Sequence, residues 1–235
     1  MLQKTKGIAL HYYKYSESSI IAKIFTRDFG LQSIIINGVR KKNAKSKLGL
    51  FRPFTLLELE LYKKSKIGLK RIKEISISEI LEKIPRDINR SLLAVFIAEV
   101  LLKVLIEDEK EEVLFSFIEN VIVELENSQE IPKTYPLLFL FNLSSYLGFY
   151  PSKLNAEFPY FDLQNGCFTE QEFGHIYFIK GKDLNNFKAL LFEKKEDLSN
   201  TDRKKMILIL LDYYKLHHHE LKNLKSHKVI EQLRK

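Results

Sequence analysis

Cysteine occurs once in 235 residues, at Cys167. The chain can therefore close no intramolecular disulfide, and a reducing cytoplasm is the expected compartment. No apolar run approaches the roughly 20 residues that a membrane-spanning helix needs, so no membrane partner is expected. The first residues meet Lys4, Lys6, Tyr12 and Tyr13 too soon for a secretory leader and offer no small-residue cleavage site. Glycine-rich phosphate loops are missing as well, since Gly38, Gly49 and Gly68 stand alone. Nothing resembles a nucleophile elbow, and there is neither an internal repeat nor a low-complexity tract. These absences lead us to expect no enzymatic turnover and no cofactor.

What is present is an ordinary folded composition, 45% hydrophobic and 29% charged, long enough for one large domain or two small ones. Its charge is unevenly placed. Residues 1–80 hold 17 Lys and Arg against 6 Asp and Glu, whereas the other 155 hold 21 against 24. A basic module is fused to a slightly acidic remainder, which points to a polyanion held by one part and a protein docked by the other.

Residues 1–80 read as five short strands. Ile8–Tyr15 leads into Ser19–Thr26, which ends at Asp28-Phe29-Gly30, where glycine can supply a positive φ. Leu31–Val39 follows, then the basic segment 40–49. In Phe54–Tyr62 Leu57, Leu59 and Leu61 alternate with Glu58 and Glu60, which favours a strand although Leu and Glu also suit a helix. Gly68–Ile77 is the fifth. Five such strands predict a partly open barrel of the OB type over residues 1–80. Helical periodicity then takes over in 81–235. Asp87 is a plausible N-cap for Ile88–Glu107, and further helices span Glu111–Asn127, Tyr135–Leu147, Asp183–Phe192, Thr201–His219 and Lys228–Leu233. An irregular insertion at about 150–176, rich in Pro, Gly and aromatics, leads into a candidate hairpin over 167–178. The expected fold is α+β and multi-domain, an N-terminal five-stranded barrel followed by a mainly α-helical domain.

The strongest chemical signal is Arg40, Lys41, Lys42, Lys45 and Lys47, five cations in eight residues between two strands, with Arg27 and Arg52 flanking them in sequence. Phosphates are bound mainly through charge and counterion release, so these seven residues are the expected nucleic-acid contacts. Tyr12, Tyr13, Tyr15, Phe25, Phe29 and Phe51 could stack bases where they face outward, or fill the barrel where they do not. Cys167 and His175 make only two ligands, too few for a tetrahedral metal site, and His217, His218 and His219 are adjacent on a helix and cannot converge on one ion. In the helical half, Arg203, Lys204 and Lys205 beside apolar helix faces are candidates for receiving an acidic, hydrophobic peptide.

The N-terminal succession resembles the bacterial RecO family of recombination mediators. It runs G-I-x-L from Gly7, Y-x-E-x-S-x-I from Tyr15, T-R-D-x-G from Thr26, N-G-V-R-K from Asn37 and L-x-x-F-x-P-[FL]-T from Leu48. The segment Leu211–Leu233 is similar to the family's final helices. The resemblance implies single- and double-stranded DNA binding, strand annealing, and work with RecR to load RecA onto DNA coated by single-strand-binding protein. It implies recruitment through that protein's acidic C-terminal tail, and it maps the family's basic motif onto Arg40, Lys41 and Lys42. Many members carry a four-ligand zinc motif in the insertion. Here the insertion keeps only Cys167, so no metal site is expected there. Two other readings remain open on the residues alone: an RNA-binding OB module in translation or RNA processing, and a nuclease.

Overall fold

The computed structural model describes residues 2–39, 48–62, 69–172, 174–192 and 198–218. They fall into two compact units, Met1–Glu130 and Ile131–Lys235. In the first, β1 (Leu2–Lys14), β2 (Ile20–Thr26), β3 (Gly30–Ile36), β4 (Leu56–Tyr62) and β5 (Lys70–Glu79) close a barrel in the order β1-β2-β3-β5-β4. All pairings are antiparallel except β3 with β5, where Ile34 meets Lys70. The alternation read from the sequence is the reason. Ile20, Ala22 and Ile24 of β2, Ile34 and Ile36 of β3, and Leu57, Leu59 and Leu61 of β4 all turn into one core. Each such buried Ile or Leu contributes on the order of 1.5–3 kcal/mol. For residues 56–62 the two-residue period outweighs the helical propensity of Leu and Glu, because a strand sends all three leucines to the same side.

Gly7 shows how tightly that core is closed. A Cβ there would sit 2.7 Å from Ile24 Cγ2 and 2.8 Å from Leu59 Cδ1, so only hydrogen fits between β2 and β4. The barrel is followed by α1 (Lys83–Arg86), α2 (Ile88–Val104) and α3 (Glu112–Asn127). Asp87 caps α2 as expected, its side chain accepting from the Arg90 N–H at 3.0 Å. Phe115 of α3 packs edge-on against Phe25 of β2, with ring centroids 5.3 Å apart. Buried Arg90 donates to the carbonyls of Leu125, Ser128 and Gln129 at the end of α3. In return the Glu126 carboxylate accepts from the N–H groups of Glu82, Lys83 and Ile84 at 2.7, 2.8 and 3.0 Å. Each helix end thereby supplies the partners that the other lacks. Secondary structure changes close to residue 80, yet the compact unit runs on to Glu130 and includes all three helices.

The second unit holds α4 (Tyr135–Tyr146), a sheet of β6 (Tyr160–Asp162), β7 (Cys167–Thr169) and β8 (Phe178–Lys180), then α5 (Gly181–Leu191) and α6 (Asn200–His217). The small sheet has the order β7-β6-β8, so the expected hairpin is instead two edge strands around β6. Tyr213 and Tyr214 of α6 donate to the carbonyls of Phe149 and Leu140, at 2.7 and 2.6 Å. Burial pushes the Tyr213 hydroxyl well above its ordinary pKa, so both phenols remain donors. His217 lies flat on Phe149 with centroids 5.3 Å apart, and its Nε2 is 3.0 Å from the Leu163 carbonyl. The expected final helix near 228–233 lies outside the described residues.

Candidate nucleic-acid interface

The β1–β2 turn and the exit from β3 share one end of the barrel, because Ile20 pairs with Ile36. Within the turn the Tyr15 and Ser16 N–H groups donate to the Ser19 carbonyl, at 3.1 and 3.2 Å. The Ser19 hydroxyl and the Asn37 side-chain oxygen lie 2.9 Å apart, tying the turn to the strand exit. Beyond Asn37 the described chain continues to Val39, buried in the barrel core, and resumes at Leu48. Arg40, Lys41, Lys42, Lys45 and Lys47 lie outside the described residues. Phe51 and Phe54, both fully buried, fasten the chain after this stretch. The Phe54 N–H donates to the Ala9 carbonyl at 2.8 Å, and its φ of +70° marks a constrained corner. The L-x-x-F-x-P-[FL]-T motif is thus the core anchor of the segment that precedes β4.

The two flanking arginines sit in different places. Arg52 is exposed, beside a groove of about 410 Å³ lined by Pro53, Ile77, Ile80, Ile84 and Val95. Arg27 follows the far end of β2, roughly 23 Å from Ile20 by strand rise. Its Nε lies 3.6 Å from a Glu112 carboxylate oxygen. The sequence grouped Arg27 with the basic stretch; the barrel separates it from the β1–β2 turn.

Other cations of the barrel are matched by the α2–α3 linker, a relation invisible at short range. Glu107 takes Lys23 and also accepts from Ser33 at 2.6 Å, while Asp108 takes Lys70 and accepts from Gln32 at 3.1 Å. Lys6 lies 3.8 Å from Glu119. Burial would raise the carboxyls of Glu107 and Asp108, but these hydrogen bonds and positive neighbours outweigh it and hold both below the usual carboxylate range. By contrast Lys4, Lys14, Arg52 and Arg71 form no ion pair among the described residues.

Burial sorts the candidate aromatics. Phe25 and Phe51 are fully buried and Phe29 packs against the core, whereas Tyr12, Tyr13 and Tyr15 are 37%, 50% and 55% exposed. In the second unit Arg203 donates to the Leu198 carbonyl, Lys205 pairs with Asp183 at 2.6 Å, and Lys204 is half-buried at the start of α6. In the insertion, buried Asp162 accepts from the N–H groups of Gln164 and Asn165 and from the Asn165 amide, at 2.8, 3.0 and 2.7 Å. His175 Nε2 lies 3.3 Å from the same carboxylate, and aromatic packing, with Phe161 and Phe168 4.9 Å apart, fills the surroundings. Among the described residues no three His, Cys, Asp or Glu side chains are gathered to hold a metal. No described helix is long and apolar enough to cross a membrane.

Comparison with known proteins covers nearly the whole chain. Residues 1–81 match the family described as Recombination protein O N terminal, and residues 85–155 match Recombination protein O C terminal. The protein named DNA repair protein RecO from Flavobacterium psychrophilum is 34% identical, with 98% of each chain covered. The proteins of that name from Phocaeicola vulgatus and Flavobacterium johnsoniae are 32% and 31% identical, with 99% and 98% of each chain covered.

Proposed function

The chain belongs to the RecO family of DNA repair proteins, and we propose that it acts as a non-enzymatic recombination mediator. It binds single- and double-stranded DNA, anneals complementary strands and, with RecR, helps to load RecA onto DNA coated by single-strand-binding protein. The observation that carries this reading is the five-stranded barrel whose β3 exit, followed in sequence by the basic stretch, lies beside a turn bearing exposed tyrosines. Arg40, Lys41, Lys42, Lys45 and Lys47, with Arg52, are the proposed phosphate contacts, and Arg27, already paired with Glu112, contributes less than a full contact. Cations brought between two backbones lower the repulsion that opposes annealing, and the counterions they release favour binding. No covalent step is needed. The second unit recruits the protein to coated strands by taking the acidic tail of single-strand-binding protein near Arg203, Lys204 and Lys205.

Competition measures the claim directly. A labelled single-stranded DNA bound to the full chain is challenged with unlabelled DNA or RNA of equal length, and annealing of complementary DNA oligonucleotides is timed in parallel. DNA competes at least as well as RNA, and the protein accelerates annealing. A strong RNA preference would overturn the repair reading in favour of an RNA-binding module.

A further inference from the structure

We propose that the free edge of β1 and the start of the turn after it, carrying His11, Tyr12, Tyr13 and Tyr15, is a stacking platform for the bases of single-stranded DNA. The proposal rests on the DNA-binding reading and names the part of the ligand that this edge would take. Pairing of β1 with β4 stops at Ile8, and the last backbone bonds on that side join Ala9 to Phe54 and Thr55. From His11 to Lys14 the strand is paired with β2 alone. The register shifts between Ala9 and His11, so Leu10 is a bulge at the point where β1 leaves β4.

Three of the rings past that bulge are in contact. Tyr12 lies opposite Ala22 and continues the barrel's inner face beyond its end, while His11 and Tyr13 lie opposite Lys23 and Ile21 on the other face. His11 joins them across the edge, with its ring 4.6 Å from Tyr13 and 6.2 Å from Tyr12. Burial lowers the His11 pKa against the opposing pull of Glu99, so at neutral pH the ring offers an aromatic face rather than a charge. Tyr15, 55% exposed, follows in the turn held by Ser19 and Asn37. Three half-exposed tyrosines in four residues have no role in the barrel core, which is complete without them.

Phosphate contacts alone do not need rings, and stacking alone does not need cations. Lys14, exposed and without an ion pair among the described residues, stands between Tyr13 and Tyr15. A cation interleaved with rings fits a single strand, whose bases are free to unstack, better than a duplex whose bases are covered.

Two oligomers of equal length and charge separate the contributions: oligothymidylate and an abasic backbone. The full-length wild type binds oligothymidylate more tightly, by at least about fivefold for each base that stacks. A variant with Tyr12, Tyr13 and Tyr15 all changed to Ser binds both oligomers with the affinity of the wild type for the abasic one. The corresponding triple Phe variant keeps the preference, and the retained abasic binding of the triple Ser variant rules out a general loss of its fold. The natural chain contains no tryptophan, so Tyr13→Trp introduces a single indole emitter, which oligothymidylate quenches and the abasic oligomer does not. Equal wild-type binding to both oligomers, or an undiminished preference in the triple Ser variant, overturns the platform while leaving DNA binding intact. Binding to neither oligomer removes the DNA reading itself and the platform with it.

Discussion

At Gly30 the backbone φ is +65°, and a Cβ built there would lie 1.7 Å from the carbonyl oxygen of Glu109. Two separate demands therefore fall on one residue. The first is local, since an L side chain in the left-handed region costs roughly 1–2 kcal/mol. The second is tertiary: the α2–α3 linker crosses the start of β3 here, with the Asp108 N–H donating to the Leu31 carbonyl at 3.1 Å. Gly38 provides the contrast within the same unit, because its φ is +74° but nothing lies within 4 Å of its added Cβ. Gly30→Ala is expected to lower unfolding free energy by about 3 kcal/mol or more, and Gly38→Ala by only about 1. Urea denaturation of the two variants checks this. Equal losses would show that the linker makes no close approach, and that the glycine of T-R-D-x-G serves the turn alone.

Among the elements, the α2–α3 linker and the end of α3 carry carboxylates held below their usual range. For Glu126 burial opposes the shift, but the backbone N–H groups of Lys83, Ile84 and Glu82 outweigh it, as lysines and other hydrogen bonds do for Glu107 and Asp108. A carboxyl depressed in the folded state stabilises above its unfolded pKa, and that contribution is lost as pH falls through the folded value. The thermal midpoint is expected to fall as pH drops below about 4.5, and Glu126→Gln to show a lower midpoint at neutral pH with a shallower acid decline. A pH-independent difference between the two proteins would remove the electrostatic account of this helix junction. Such junctions also mark where sequence reading stops. The five strands and the main helices were legible because Leu57, Leu59 and Leu61, or the face of α3, repeat at the period of their element. β1 begins six residues ahead of the expected Ile8 because its inward positions there, Thr5 and Gly7, carry no apolar signal. α1, at four residues, is too short to show a period. Phe25 points away from the barrel core and would count as exposed but for Phe115, which arrives 90 residues later. Tyr12 and Phe25 looked equivalent in sequence because the cover that distinguishes them is distant in the chain.

For the whole molecule, the two compact units redraw the charge boundary. Residues 81–130 hold 5 Lys and Arg against 12 Asp and Glu, while 131–235 hold 16 against 12. The acidity that a boundary at residue 80 assigned to the entire helical half belongs to α1–α3, and part of it pairs with Lys6, Lys23, Arg27 and Lys70 of the barrel. The second unit is net basic, which favours an acidic partner there more than a boundary at residue 80 would. This division predicts which barrel cations matter in binding DNA. A cation already matched by a carboxylate has no condensed counterion of DNA to displace, whereas an unmatched one does. Changing Arg40, Lys41 and Lys42 together to Ala should reduce the slope of log affinity against log salt for single-stranded DNA by about 2, near 0.7 for each lost phosphate contact. Arg27→Ala should change the slope by less than one such contact, because Glu112 already stands 3.6 Å away. Anisotropy titrations with a labelled oligonucleotide between 50 and 300 mM salt resolve both effects. If the slope is unmoved by the triple change but falls with Arg27→Ala, DNA tracks the linker side of the barrel, and Glu112 must release Arg27 before the strand can bind.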